Sequence, residues 1–254
     1  MFSQITIVGA GRIGTLFSTL VTVEPLIEVS LLKRGEVELL PSGPIVVCTR
    51  NDDLDGVLTW VPKERYVDLI FIQNGMLQSW FDERHLSTVT QGLLYIAVSK
   101  VGDVPVDGHR SVVTGPQSDV FVWLMMRLGL QCKAVEQSVF FVEMIEKLLW
   151  NCVFGLLCDV FDIPVGQIVE EHHSAVAGLT VELLDVALPE LGLDSSHVNT
   201  EDLLERLCAY SMSIPLYKGA LKEWSWRNGW FWNRQNDTTY ATIHGKYLKA
   251  IQAI

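Results

Sequence analysis

The sequence predicts an α/β fold, a Rossmann-type doubly wound parallel sheet followed by an all-helical C-terminal domain. Three observations carry this expectation. A Gly-x-Gly-x-x-Gly turn, Gly9-Ala10-Gly11-Arg12-Ile13-Gly14, follows the apolar run Ile5–Val8 and opens an apolar-periodic segment reaching about Val21. Short continuous apolar runs recur up to Glu136, as in strands buried on both faces of a parallel sheet. From Ser138 onward only long helical patterns remain. The change of pattern alone separates residues 1–137, an α/β half, from residues 138–254, an all-helical half.

The first strand, turn and helix have a specific chemistry. Gly9 allows the sharp turn, Gly11 lets backbone approach a pyrophosphate with no Cβ in the way, and Gly14 lets the helix pack on its strand. The free N–H groups of Arg12, Ile13 and Gly14 at the helix start would then face the phosphates. A structural βα turn is the alternative. A second strand, Ile27–Leu32, ends in Lys33 and Arg34, where NAD-preferring folds place an acid for the ribose hydroxyls. Two cations there favour a 2′-phosphate, hence NADP (NADPH) over NAD.

Ile45–Cys48 reads as a third strand, leading into Thr49 and Arg50 beside the expected pyrophosphate, with Asn51 or Asp52 capping a short helix. A salt bridge from Arg50 to Asp52 or Asp53 is the alternative use of that cation. Asp68–Ile72 is a further strand, stopping at Gln73-Asn74-Gly75-Met76, where Asn-Gly signals a turn with positive φ and Asn74 can face a ligand. Leu93–Val98, Ser111–Thr114 and Leu130–Glu136 complete the strands, with a helix opened by Gly115-Pro116 and running to Gly129.

In the second half, Val139 to about Val160 is apolar nearly all round, so it is expected to be buried. Lys147 and Asn151 interrupt it four residues apart on one face, and Gly155 continues that stripe. Such a lysine pairs with a carboxylate, Glu143 being one turn back, or snorkels to water, or lines a polar cleft. Ile168–Leu191 and Asp202–Tyr210 read as further helices. Adjacent His172 and His173 diverge by about 100° on a helix, so no metal site is expected. The tail, with Trp224, Trp226, Trp230, Phe231 and Trp232, either packs over the helical core or closes a subunit interface.

Composition narrows the partners. A net charge of −11 over 254 residues argues against a nucleic-acid binder and against a protein drawn to anionic membranes. Five scattered cysteines look like buried thiols in a reducing compartment. No basic segment precedes an apolar one at the start, and Leu148–Val160 is too short to span a bilayer. A cytoplasmic setting is the expectation, with an organellar stroma or matrix also open.

The order of these features resembles the ketopantoate reductase (2-dehydropantoate 2-reductase) family: the glycine turn, a strand ending in Asn74-Gly75-Met76, and an all-helical half with Lys147-Leu148-Leu149-Trp150-Asn151. The likeness covers almost the whole chain, most clearly residues 5–160. It implies that Lys147 is the general acid protonating a carbonyl oxygen as NADPH delivers hydride. It implies that Asn74 sits between cofactor and substrate, and that Asn151 helps hold the substrate. Gly155 stands where family members often have a second asparagine on the substrate side. The family's C-terminal Thr-Glu-Ile-Asp pattern, shortly before Asn-Gly, has its counterpart in Thr238–Gly245, which lacks the glutamate that holds the substrate hydroxyl. The expected activity is therefore NADPH-dependent reduction of a 2-oxo acid or similar small carbonyl compound. The competing expectation is a non-catalytic NADP(H) sensor or partner-binding protein with an eroded pocket.

Overall fold

Apolar runs too short for helices become the strands of a single large sheet. The computed structural model describes residues 3–24, 26–33, 42–86, 88–235 and 242–254. The first elements are β1 (Gln4–Val8), α1 (Arg12–Ser18), α2 (Leu20–Val23), β2 (Glu28–Leu32) and β3 (Ile45–Val47). Then come α3 (Leu54–Leu58), β4 (Leu69–Phe71), α4 (Gln78–Glu83), β5 (Thr90–Leu93), β6 (Ile96–Ala97), β7 (Val106–Asp107) and β8 (Val112–Thr114). The chain continues with α5 (Ser118–Arg127), β9 (Lys133–Ala134) and α6 (Gln137–Phe161). It ends with α7 (Val165–Glu171), α8 (His173–Glu190), α9 (Thr200–Ser213), α10 (Asn228–Gln235) and α11 (Ile243–Ala250).

The sheet order is β2-β1-β3-β4-β5-β8-β9. All neighbours are parallel except β5 and β8, which run antiparallel. β1 pairs with β2 from Gln4↔Glu28 to Val8↔Leu32 and with β3 from Thr6↔Ile45 to Val8↔Val47. The winding therefore reverses beside β1, and in such sheets ligands bind outside the carboxyl ends of the strands at that point. Ile45, Val46 and Val47 are fully buried, as a strand covered on both faces requires. Phe17 from α1 and Phe121 from α5 meet over the same core at 5.8 Å. Each such fully buried side chain contributes about 1.5–3 kcal/mol.

Three elements differ from the sequence expectation. Leu93–Val98 is not one strand, because the Tyr95 N–H donates to Ser111 Oγ (2.9 Å) and its carbonyl accepts from the Gly108 N–H (2.7 Å). With those groups used, β6 leaves the main sheet and pairs with β7. Leu130–Glu136 contracts to the two residues of β9. The helix expected over Ile168–Leu191 breaks at His172, whose ring stacks on Phe161 at 3.6 Å.

Two compact units result: Met1–Asn74 with Phe81–Phe140, and Gly75–Trp80 with Phe141–Ile254. In the second, α9 is capped by Asn199, whose side-chain oxygen accepts from the N–H groups of Glu201 and Asp202. The aromatic tail packs within this unit, with Trp230 and Phe231 buried on α10. All five cysteines are free thiols, and Cys152 and Cys158 are buried. No single helix among the described residues is long and apolar enough to cross a membrane.

Candidate active site

The glycine turn leaves the carboxyl end of β1 between its two neighbours. The Gly9 N–H donates to the Leu32 carbonyl (2.8 Å), and the Cys48 N–H donates to the Val8 carbonyl (2.7 Å). Gly9 adopts φ +104°, and a Cβ there would sit 2.9 Å from the Cys48–Thr49 backbone. At Gly14 a Cβ would fall 1.7 Å from the Gly9 carbonyl oxygen, so only glycine lets α1 lie on the turn. Gly11 differs, since nothing lies within 4 Å of its Cβ position. Two glycines are spent on packing, and the middle one faces open space, as a pyrophosphate-binding turn requires.

Side chains around the turn differ in burial and in their partners. The Arg12 guanidinium donates to the Val98 carbonyl (3.0 Å), and Ile13 packs against the sheet core. What either can offer a phosphate is its main-chain N–H at the start of α1. Lys33 is exposed directly after β2, whereas Arg34 lies outside the described residues. Thr49 follows β3 with its hydroxyl oxygen buried and without a partner among the described residues. Arg50 is exposed beside it. An open glycine cradle and an orphaned hydroxyl at the same sheet edge fit a dinucleotide.

Asn74 is positioned by two amides that are not predicted as site residues. Gln73 Nε2 donates to the carbonyls of Val47 (2.9 Å) and Thr49 (3.1 Å), while its Oε1 accepts from the Ile72 N–H (3.0 Å). That clamp ties the ends of β3 and β4 together. Asn51 does not cap a helix with its side chain; buried, it donates to the Asn74 carbonyl at 2.8 Å. Gly75 has φ +102°, the turn conformation that Asn-Gly predicts.

In the helical unit, α6 is lined with buried Phe140, Ile145, Leu148, Leu149, Phe154 and Leu157. Lys147 and Asn151 are half-buried on it, and Asn151 Nδ2 donates back to the Lys147 carbonyl (2.8 Å). Desolvation, helped by the charge of Arg227 and opposed by that of Glu223, lowers the Lys147 pKa to about 7. The polar stripe ends there. Gly155 is buried beneath the backbone of Gly219 and Ala220, and a Cβ would meet the Ala220 oxygen at 2.9 Å.

Two residues that act on Lys147 are absent from the sequence expectation. Arg227 is 7% exposed, and its Nη2 pairs with Glu223 Oε2 at 2.7 Å. Its Nε is buried without a partner among the described residues. Glu223 adopts φ 49° and opens the turn Trp224–Trp226, five residues before Asn228-Gly229. Of Thr238–Gly245, residues 238–241 lie outside the described residues, and the rest of that stretch starts α11 and buries His244.

No protein-family model matches the sequence, and no curated protein matches it. Solved structures do match over nearly the whole chain. A ternary complex of D-mandelate dehydrogenase with NADH and anilino(oxo)acetate gives a TM-score of 0.73 at 15% identity, over 98% of this chain and 97% of that one. A probable 2-dehydropantoate 2-reductase from Bacillus subtilis gives 0.72 at 14% identity, over 98% and 99%. A dimeric ketopantoate reductase from Staphylococcus aureus gives 0.71 at 19% identity, over 98% and 99%. Likeness at such identities is one of architecture. With its Rossmann-type sheet followed by a helical domain, the chain has the fold of the ketopantoate reductases.

Proposed function

We propose that the protein is a divergent member of the ketopantoate reductase family, an NADPH-dependent oxidoreductase reducing the carbonyl of a 2-oxo acid or similar small molecule. The observation that carries this is Lys147, an amine set among the buried apolar residues of α6 with its pKa lowered to about 7. An ammonium of that acidity stabilises a developing alkoxide and gives up its proton to it at neutral pH. A bound nicotinamide would supply the hydride. The turn Gly9–Gly14 and the Thr49 hydroxyl would hold its phosphates and ribose, with Arg50 exposed beside them to meet negative charge. Lys33, with Arg34 next in sequence, favours the 2′-phosphate of NADP.

In this scheme residues 1–137 bind the dinucleotide, and residues 138–254 supply the acid and the substrate contacts. Asn74, held by its carbonyl to Asn51, is the catalytic amide of the first unit, and Asn151 orients substrate beside Lys147. Gly155 serves close packing of the 219–220 backbone on α6 instead of touching substrate. Glu223 takes the place of the family's C-terminal glutamate. A homodimer through the helical half, with free thiols in a reducing cytoplasm, completes the proposal.

The experiment is NADPH oxidation with a panel of 2-oxo acids, for the parent and Lys147→Ala. Turnover by the parent and a loss of roughly a hundredfold in the variant are expected. Tight NADPH binding with no carbonyl compound turned over would instead point to a sensor.

A further inference from the structure

We propose that Arg227 is a positioning residue that, balanced against Glu223, sets the pH at which Lys147 works as a proton donor. The reaction is that of the reductase reading, on which this role rests; the electrostatics stand without it. Arg227 reaches α6 on a strap laid down by backbone contacts. The Pro215 carbonyl accepts from the Gly166 N–H at 3.1 Å, and the Tyr217 carbonyl from the Val165 N–H at 2.9 Å. Gly219 and Ala220 then pack on Gly155, and the Leu221 N–H donates to Asp159 at 2.7 Å. The strap thus passes from α7 back along α6, and residues 223–227 arrive at the stretch holding Lys147 and Cys152, on both of which the Arg227 charge acts.

The cation is fixed in that place. The Trp226 carbonyl accepts from the Met76 N–H at 2.8 Å, and Asn228, 1% exposed, has its side-chain oxygen 2.9 Å from the His244 ring. Between them Arg227 is 7% exposed, with Nη2 2.7 Å from Glu223 Oε2. A guanidinium does not deprotonate in a folded protein, so its charge is permanent. In a poorly solvated interior such a charge is weakly screened and repels an ammonium over several ångströms. Glu223 offsets it from a side chain that is 43% exposed, where water screens the carboxylate more than the buried cation. The pair is therefore lopsided, net positive as Lys147 meets it, and it makes the ammonium a readier donor. Other titratable groups nearby are placed differently. Glu146 accepts from Arg206 Nε of α9 at 2.6 Å, Glu143 lies one turn back on α6, and Lys222 is exposed. Burial keeps Cys152 a thiol, and the Gly75–Trp80 stretch carries no titratable group.

The test reads the amine itself, by the ζ-nitrogen and ε-carbon resonances of isotope-labelled lysine followed with pH, Lys147→Met identifying the signal. Arg227→Gln is expected to raise the titration midpoint of Lys147 by about one pH unit. Glu223→Gln is expected to lower it by a smaller amount, and the double variant to lie between the two. A merely structural pair gives a different result, since loosening the segment admits water and moves both single variants upward, toward the ordinary lysine value. Glu223→Gln alters only a part-exposed side chain, so it decides the matter even where Arg227→Gln does not fold. An unchanged or raised midpoint in Glu223→Gln, or an unchanged or lowered one in folded Arg227→Gln, overturns the proposal. The same order should appear in the pH profile of kcat/KM for NADPH-dependent reduction of 2-oxobutyrate. Turnover whose profile ignores both substitutions would sink the role of the pair and leave the reductase standing. Opposite shifts of the resonance in a protein that reduces no carbonyl compound would sink the reductase and leave the electrostatic control of Lys147 intact.

Discussion

The Met76 N–H donates to the Trp226 carbonyl across 2.8 Å, and Gly75 lies so close that a Cβ would stand 2.5 Å from that same oxygen. A turn that follows a sheet strand is thereby seated on the helical unit, one residue after Asn74. The six-residue stretch Gly75–Trp80 belongs to that unit although it is far from it in sequence. Ser79 extends the tie, since Arg234 Nη2 donates to its hydroxyl (3.0 Å) and to Glu190 (3.0 Å) while stacking on Trp230 at 3.9 Å.

Gly75→Ala should therefore be among the costlier single substitutions in the chain. A left-handed backbone costs an L-residue roughly 1–2 kcal/mol, and the overpacked contact about 1–3 kcal/mol more. Thermal unfolding should show a clear fall in Tm. An unchanged Tm would mean that Trp226 yields easily and that the seat is loose.

The three glycines of the opening turn should separate stability from binding. Gly14→Ala cannot be accommodated 1.7 Å from a backbone oxygen, so it should lower Tm. Gly11→Ala meets nothing within 4 Å and should leave Tm near the parent value. If phosphates lie on this turn, Gly11→Ala nonetheless weakens NADPH by about tenfold, ~1.4 kcal/mol, in a fluorescence titration. Equal NADPH affinity in that variant would take the pyrophosphate off the turn.

The contrast between those glycines explains what the sequence makes legible. The spacing Gly9, Gly11, Gly14 fixes strand, turn and helix because each position has one steric duty, and Ile45–Val47 reads as buried because a covered parallel strand has no polar face. The antiparallel pairing of β5 with β8 is illegible, because direction depends on where the intervening chain spends its hydrogen bonds, here Tyr95 with Ser111 and Gly108. Lys147 and Asn151 stand out as polar residues in an apolar helix. Arg227 and Glu223 do not, since an i,i+4 pair among tryptophans looks like an exposed helix face until burial is known. Gly155 misleads for the opposite reason: its helical face matches that of Asn151, but the partner backbone at Ala220 is sixty-five residues away and leaves no periodic signal.

Lys147 should impose a descending limb on the pH profile. On the proposal its ammonium donates the proton, and with a pKa of about 7 that form is progressively lost above neutrality, so kcat/KM for carbonyl reduction should fall as pH rises through about 7. Stability runs the other way. The unfolded lysine holds its proton to about pH 10.4, so between about 7 and 10.4 the unfolded state binds more protons, and stability rises with pH across that window. Lys147→Met, which removes the buried charge, should raise Tm more at pH 6 than at pH 9. A gain that is the same at both values would show that the amine is not desolvated in the folded protein.

His244 gives the fold an acid-sensitive joint of opposite placement. The ring is fully buried at the start of α11, with Nδ1 2.8 Å from Gln235 Oε1 and Nε2 2.9 Å from the Asn228 side chain. Gln235 Nε2 donates to Glu182 (3.0 Å), which keeps its oxygen toward the ring, so both ring nitrogens of His244 face side-chain amide oxygens. Glu182 also accepts from the main-chain N–H groups of Ile243 (2.7 Å) and His244 (3.1 Å), so one chain of bonds joins α8, α10 and α11. Burial lowers the His244 pKa to about 4, well below the unfolded value. Above pH ~6.5 both states are neutral and stability is whole; between ~6.5 and about 4 the unfolded state takes up the proton first, and stability is lost as pH falls. The loss from this group amounts to roughly 3 kcal/mol at the acid end, taking about 1.4 kcal/mol for each pKa unit. His244→Gln should be less stable than the parent at pH 7 yet lose less on acidification to pH 5, as read by chemical denaturation at both values. Parallel losses in the two proteins would place the acid sensitivity elsewhere and leave His244 a neutral strut.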